Sequence, residues 1–237
     1  LGTDKIDSET LRNNATFANA FNQAMTADGD LLFYGDDWII NPENTLNNIR
    51  FNGTSLQNVE ILETAFPSGI NKNIIVSNNE ELNLNSNLDI GKDLILESGN
   101  IRLNGNTLQL RQNSQYSSGA IIGDALANIS YVNTGNDTLI FTSGTAELAS
   151  ISINRSSAII KLTQDLTINT SIDLSLGYLN TDANTLILSE NVTATGGSSS
   201  SFIDGSIRKL GSTSFLFPSG DIKKRDLDND NIDETYH

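Results

Sequence analysis

The densest run of metal-ligand side chains is the acidic tail DLDNDNID, residues 226–233. Asp226, Asp228 and Asp230 alternate there, and Ile232 and Asp233 follow. Carboxylates at positions 1, 3 and 5, with a backbone carbonyl at 7, are how a short loop wraps a hard cation in oxygen. Asn231 takes position 6, where the turn needs a left-handed residue, and Asn is the best non-glycine substitute there. Glu234 falls at position 9, but His237 at position 12 cannot replace a bidentate carboxylate. The pattern predicts a Ca²⁺ loop made by Asp226, Asp228, Asp230, the Ile232 carbonyl and Asp233. The competing reading is a solvated acidic linker, as most charge runs are.

Tyr34 and Trp38, close to Phe33, have the amphipathic rings that stack on sugars, and they form a candidate glycan platform. Against that stands half-burial at the end of the fold. Catalysis finds little material. His237 is the only histidine, which removes Ser/His triads and histidine-ligated metals. There is no P-loop and no dinucleotide fingerprint. Asp89, Lys92, Asp93 and Arg102 are close in sequence, as a carbohydrate-cleaving site would require. Their counterparts in a second copy of the segment are Thr167, Thr170, Ser171 and Asn180, so no coherent catalytic face emerges. The chain reads as a non-enzyme.

That second copy is what organises the chain. Residues 80–110 recur without a gap 78 positions later as residues 158–188. Leu82, Leu84, Leu88, Ile90, Leu94 and Leu96 align with Ile160, Leu162, Leu166, Ile168, Ile172 and Leu174, and the match runs on to Leu110 and Leu188. Self-similarity at a fixed offset marks stacked units. Within each copy, short L-x-L or I-x-L runs step every 6 to 7 residues, and their middle positions are polar: Asn83, Asp89, Arg102, Gln109, Lys161, Thr167. Three steps make about 20 residues, one coil of a parallel β-helix. Asn at the corners fits because it tolerates the left-handed conformation of a sharp bend. The expected fold is all-β, a parallel β-helix or solenoid; antiparallel β-sandwich repeats are the alternative.

Ahead of the repeats, residues 8–27 space Leu11, Ala15, Phe17, Ala18, Phe21 and Met25 like a helix. Repeat stacks need a cap, so a short N-terminal helical cap is expected. DLLFYGDDWII, residues 30–40, reads as one or two strands with a turn at Gly35, Asp36 and Asp37. The predicted organisation is a cap segment over 1–47 and solenoid repeats over 48–143 and 144–221. The acidic linker then covers 222–237.

Composition narrows the partners. With 29 acidic against 14 basic residues the net charge is −15, and no basic footprint exists for nucleic acid. No cysteine is present, so there is no disulfide framework and no thiolate metal site. No apolar run approaches the ~20 residues that a spanning helix needs. The opening LGTDKIDSET reads as a trimmed or mature start rather than a secretory leader. N-x-[ST] triplets such as those at Asn136 and Asn154 are expected by chance in so Asn- and Thr-rich a chain.

FIDGSIRKLGSTSFLFPSGD, residues 202–221, resembles a segment of large secreted and cell-surface proteins of the Bacteroidota. In those proteins it follows solenoid blocks similar to YLNTDANTLIL, residues 178–188, and stretches similar to INRSSAIIKLTQDLTINTSIDLSLG, residues 153–177. The resemblance covers residues 48–221. It implies an extracellular or outer-surface protein, exported by the type IX secretion system and used in adhesion, gliding or as a structural stalk. Secretion machinery, cell-surface components and glycans would be its partners. The acidic tail is similar to thrombospondin type 3 repeats. Asp137-Thr138-Leu139 resembles the O-glycosylation site of the same bacteria, with Thr138 as acceptor.

Overall fold

The computed structural model describes residues 30–33, 37–40, 48–52, 56–61, 69–225 and 234–236. Every regular element among them is a strand, and the chain forms two compact units, Leu1–Ile122 and Gly123–His237. The expected helix over 8–27 lies outside the described residues, as do Tyr34, Asp226, Asp228, Asp230, Ile232 and Asp233.

The first unit begins with β1 (Asp30–Phe33), β2 (Asp37–Ile40), β3 (Asn48–Phe51), β4 (Gln57–Ile61), β5 (Asn73–Val76) and β6 (Glu81–Leu84). It continues with β7 (Leu88–Ile90), β8 (Leu94–Leu96), β9 (Asn100–Arg102), β10 (Thr107–Leu110), β11 (Ser114–Tyr116) and β12 (Ile121–Ile122). One sheet runs β1-β3-β5-β8-β11, a second β2-β4-β6-β9-β12, and β7 pairs with β10 in a third. Pairing is parallel throughout, which excludes the antiparallel sandwich. Leu94 registers with Ile74 and Ser114, Ile101 with Leu82 and Ile121, and Leu88 with Leu108. The coils from β5 to β12 are therefore about 20 residues long, with β7 and β10 supplying a third face, whereas β3 to β5 and β4 to β6 step by 25 residues. Of the one or two strands expected in residues 30–40, two form, and Asp37, expected in the turn, opens the second. They do not pair with each other as a hairpin would: β1 pairs with β3, and β2 with β4.

The core follows from alternation, since successive side chains of a strand point to opposite faces. Leu82, Leu84, Ile90, Leu94, Leu96, Ile101, Leu108 and Leu110 are fully buried. Asn83, Asp89, Arg102 and Gln109 between them are only partly covered. Corners are held by Asn and Asp side chains that satisfy the backbone of the next coil. Asn73 Oδ1 accepts the Asp93 amide at 3.1 Å, Asp93 Oδ1 accepts the Asn113 amide at 3.3 Å, and Asn100 Oδ1 accepts the Ala120 amide at 3.0 Å. Outside, Arg102 forks onto Glu81 at 2.7 and 2.9 Å, and Arg111 onto Asp89 at 2.8 and 2.6 Å.

The second unit holds β13 (Asn128–Asn133), β14 (Asp137–Leu139), β15 (Glu147–Leu162) and β16 (Leu166–Leu188). After these come β17 (Thr193–Thr195), β18 (Ser201–Lys209), β19 (Ser219–Arg225) and β20 (Glu234–Tyr236). β15 pairs in parallel with β13 and β14 on one edge and with β16 on the other. β16 passes on to β17 and β18. β18 pairs in parallel with β19, and β19–β20 is antiparallel. The 23 residues of β16 would stretch about 75 Å if straight. Its register shifts instead mark corners, where pairing lapses and then resumes on the next face: Asn154 opposite Leu176 is followed by Ile159 opposite Tyr178, and Asn180 opposite Asp204 by Thr185 opposite Ser206. The expected loop at ATGGSSSS is a tight reversal: Gly196 and Gly197 have φ of 115° and 83°, and the Gly197 amide donates to the Ser201 carbonyl at 2.8 Å.

The 78-residue echo is reproduced bond for bond at one corner. Asn106 Nδ2 donates to the Leu84 carbonyl at 2.8 Å, and Asn184 Nδ2 to the Leu162 carbonyl at 3.2 Å. The Thr107 amide donates to Asn87 Oδ1 at 2.8 Å, and the Thr185 amide to Asp165 Oδ1 at 2.7 Å. Asn104 and Asp182 share a left-handed φ of 51°. Among the described residues no helix is long and apolar enough to cross a membrane.

Candidate functional site

The second unit carries an open, polar groove of about 580 Å³ lined by Ser143, Glu147, Gln164, Asp165, Thr167 and Asn184, together with Gly144 and Ala146. Three stretches of chain build it. The turn at Thr142–Thr145 forms one wall. The Thr145 amide donates to the Thr142 carbonyl at 3.2 Å, and the two threonine hydroxyls lie 2.6 Å apart. Gly144 at its tip has a φ of +77° and open space where a Cβ would stand. Glu147 opens β15 and registers with Thr167 of β16, so both side chains leave the same face. Gln164 and Asp165 form the corner between β15 and β16, and Asn184 belongs to the next corner.

The coil-to-coil bonds pin these groups while leaving them partly available. Glu147 Oε1 accepts Asn169 Nδ2 at 2.9 Å, and Asp165 Oδ1 accepts the Thr185 amide at 2.7 Å. Among the described residues the other oxygen of each carboxylate and the Thr167 hydroxyl make no hydrogen bond. The groove is thus a set of acceptors held in place by the fold and aimed at solvent. No set of three or more His, Cys, Asp or Glu side chains that could hold a metal ion occurs among the described residues.

A second cluster is buried in the same unit. Arg155 is fully buried; its Nε donates to the Val132 carbonyl at 2.9 Å and its Nη1 to the Gly135 carbonyl at 3.1 Å. Asp137 Oδ2 lies 3.8 Å away, and the guanidinium stands 5.0 Å from the centre of the Tyr131 ring. Burial pushes the guanidinium below its usual value, while Asp137 and then Tyr131 push it back up. The arrangement neutralises a charge inside the coil and offers no opening to a ligand.

The residues singled out in the sequence fall as follows. Trp38 lies in β2, its backbone opposite Val59. Thr138 is half-buried on the outward side of β14. Asp137 beside it is buried towards Arg155, and its Oδ1 accepts the Thr138 amide at 2.8 Å. Asp89 and Arg102 are not brought together: they sit in different sheets, and each is spent on a coil-to-coil ion pair. Sequence reasoning missed Glu147, Asp165 and Arg155. Arg155 left a signal, because it continues the inward parity of Ile151 and Ile153. Compared with protein-family models, with curated proteins and with solved structures, the chain finds no significant match.

Proposed function

We propose that this chain is a non-catalytic extracellular segment of a bacterial cell-surface protein, working as a structural stalk or adhesin. The observation that carries the reading is the corner shared by the two copies. The inward leucines, the left-handed residue and the coil-to-coil bonds recur at 78 residues. The outward side chains change: Asp89 to Thr167, Arg102 to Asn180. What the chain repeats is a way of stacking coils, and repeat architectures present extended surfaces rather than closed catalytic pockets.

The resemblance of residues 48–221 to Bacteroidota surface proteins supplies the location, an outer surface reached through the type IX system. A helical cap over residues 8–27 belongs to the same reading. Protease shaving of intact cells that carry the native protein is expected to release peptides from residues 48–221. Recovery of the chain from the cytosol alone would sink the proposal.

The acidic tail extends it. Asp226, Asp228, Asp230, the Ile232 carbonyl and Asp233 would bind Ca²⁺ and stiffen the C-terminal end of the stalk. Calorimetry on the full chain is expected to show Ca²⁺ heat that disappears in Asp226→Asn/Asp228→Asn/Asp230→Asn. No heat at millimolar Ca²⁺ removes this part of the reading and leaves the stalk intact. The runner-up, a carbohydrate-binding or carbohydrate-cleaving β-helix, draws on the polar groove of the second unit and on Tyr34 and Trp38.

A further inference from the structure

We propose that the groove between the Thr142–Thr145 turn and the outward face of β15 and β16 binds a hydroxyl-rich, non-anionic glycan chain. The site rests on the carbohydrate-binding runner-up above and deepens it by naming the class of glycan; the surface-display reading is tested separately.

The chemistry of the lining selects the ligand. Glu147 and Asp165 each keep one carboxylate oxygen without a partner, and the Thr167 hydroxyl and the Ser143 side chain stand on the same surface. Sugar hydroxyls are the donors such oxygens accept, and hydrogen bonds to an ionised acceptor are roughly twice as strong as neutral ones. The other oxygen of each carboxylate is already tied to the neighbouring coil. The acceptors are therefore positioned before the ligand arrives, which lowers the entropic cost of binding.

Charge decides against the alternatives. No Lys or Arg lines the groove, and the whole chain carries a net charge of −15. Uronates, sulfated glycans and phosphates would meet two carboxylates with no cation to offset them. A hard cation wants six to eight oxygens, and no three acidic side chains come together among the described residues. The groove is open to solvent along its length and nothing stands within reach of a Cβ at Gly144, so an extended chain can lie across it.

The test uses the full chain in EDTA, with laminarihexaose, mannohexaose and hexagalacturonate as probes, read by calorimetry and ligand-observed NMR. At least one neutral hexasaccharide is expected to bind, and hexagalacturonate is not. Glu147→Gln and Asp165→Asn keep the carbonyl oxygens that accept Asn169 Nδ2 and the Thr185 amide while removing the charge. Together they are expected to weaken binding at least tenfold. Thr167→Tyr, which fills the groove from an outward position, should abolish it with the far-UV spectrum unchanged. If that variant fails to fold, Thr167→Val removes the hydroxyl without bulk and should still weaken binding several-fold.

The proposal is overturned if neither neutral probe binds at about 10 mM, if hexagalacturonate binds more tightly, or if the groove variants bind like the parent. Loss of binding on Trp38→Ala, with the groove variants silent, would likewise overturn it and place sugar contact on the first unit. None of these outcomes bears on surface display, which protease shaving reads independently.

Discussion

Replacing Asp137 with Asn is expected to destabilise the second unit by about 3–5 kcal/mol, the cost of leaving a buried charge without its counter-ion. Arg155 is fully buried, and its nearest carboxylate is Asp137 at 3.8 Å. The carbonyls of Val132 and Gly135 accept two of its N–H groups, yet dipoles alone do not balance a full charge at low dielectric. Arg155→Met is expected to be comparably costly, since it strands the Asp137 carboxylate and two inward carbonyls at once. The pair Arg155→Met/Asp137→Leu should recover most of the loss, because apolar replacement of a whole buried ion pair is often neutral.

Chemical denaturation of the four proteins closes the cycle. A loss below about 1 kcal/mol for Asp137→Asn would show that the carbonyls alone hold the guanidinium. Neutral-range pH scans would not reveal this energy. A base whose folded-state pKa is lowered costs stability at every pH below its folded value, so the step lies far into alkali.

The same cluster shows where reading the sequence stops. Inward positions were legible because Leu and Ile alternate with polar residues, and the 6- to 7-residue step favoured a coil of about 20 residues; the same alternation also suits a sandwich, which only the parallel pairing excludes. The corners were legible through Asn, whose side chain suits the bend and reaches the next coil. Arg155 was not, because a cation on inward parity reads as the end of a strand. In fact β15 continues through Asn154–Ser157, with Ser157 itself left-handed at φ 57°.

Asp137 looked like part of a surface glycosylation motif for a related reason: its partner lies in the next coil. The groove was hidden likewise. Glu147 and Thr167 become neighbours only once the coil length sets their register. Strand boundaries failed differently. Asn, Gly and Ser read as breaks between short strands, yet in the second unit β16 stays extended through such corners, resuming its pairing after each, and forms one strand where the first copy forms four.

Close approach of successive coils sets the other large effect, and Gly119→Ala is expected to cost the first unit about 1–3 kcal/mol or more. A Cβ at Gly119 would overlap the carbonyl oxygen of Gly99 in the neighbouring coil and come within 3.0 Å of the Gly99 carbon and of Leu96 Cβ. The obstacle is mostly backbone, so no rotamer change relieves it and the coils must separate locally. Separation strains the bonds that flank the site: the Ser118 hydroxyl to the Glu97 carbonyl at 2.8 Å, and the Ala120 amide to Asn100 Oδ1 at 3.0 Å. It also loosens Ile121, which is fully buried one step further on.

Gly144→Ala isolates the competing explanation, that any glycine lost from a turn is costly. Gly144 has a left-handed φ of +77° but nothing within reach of an added Cβ, so only the backbone cost of about 1 kcal/mol is expected there. Urea unfolding of the two variants should therefore rank Gly119→Ala well above Gly144→Ala. Equal losses would mean that the coils part easily at Gly99 and that the stack is softer than its hydrogen bonds imply. A soft stack would transmit little force, so this comparison also tests the proposed stalk role at the level of the first unit.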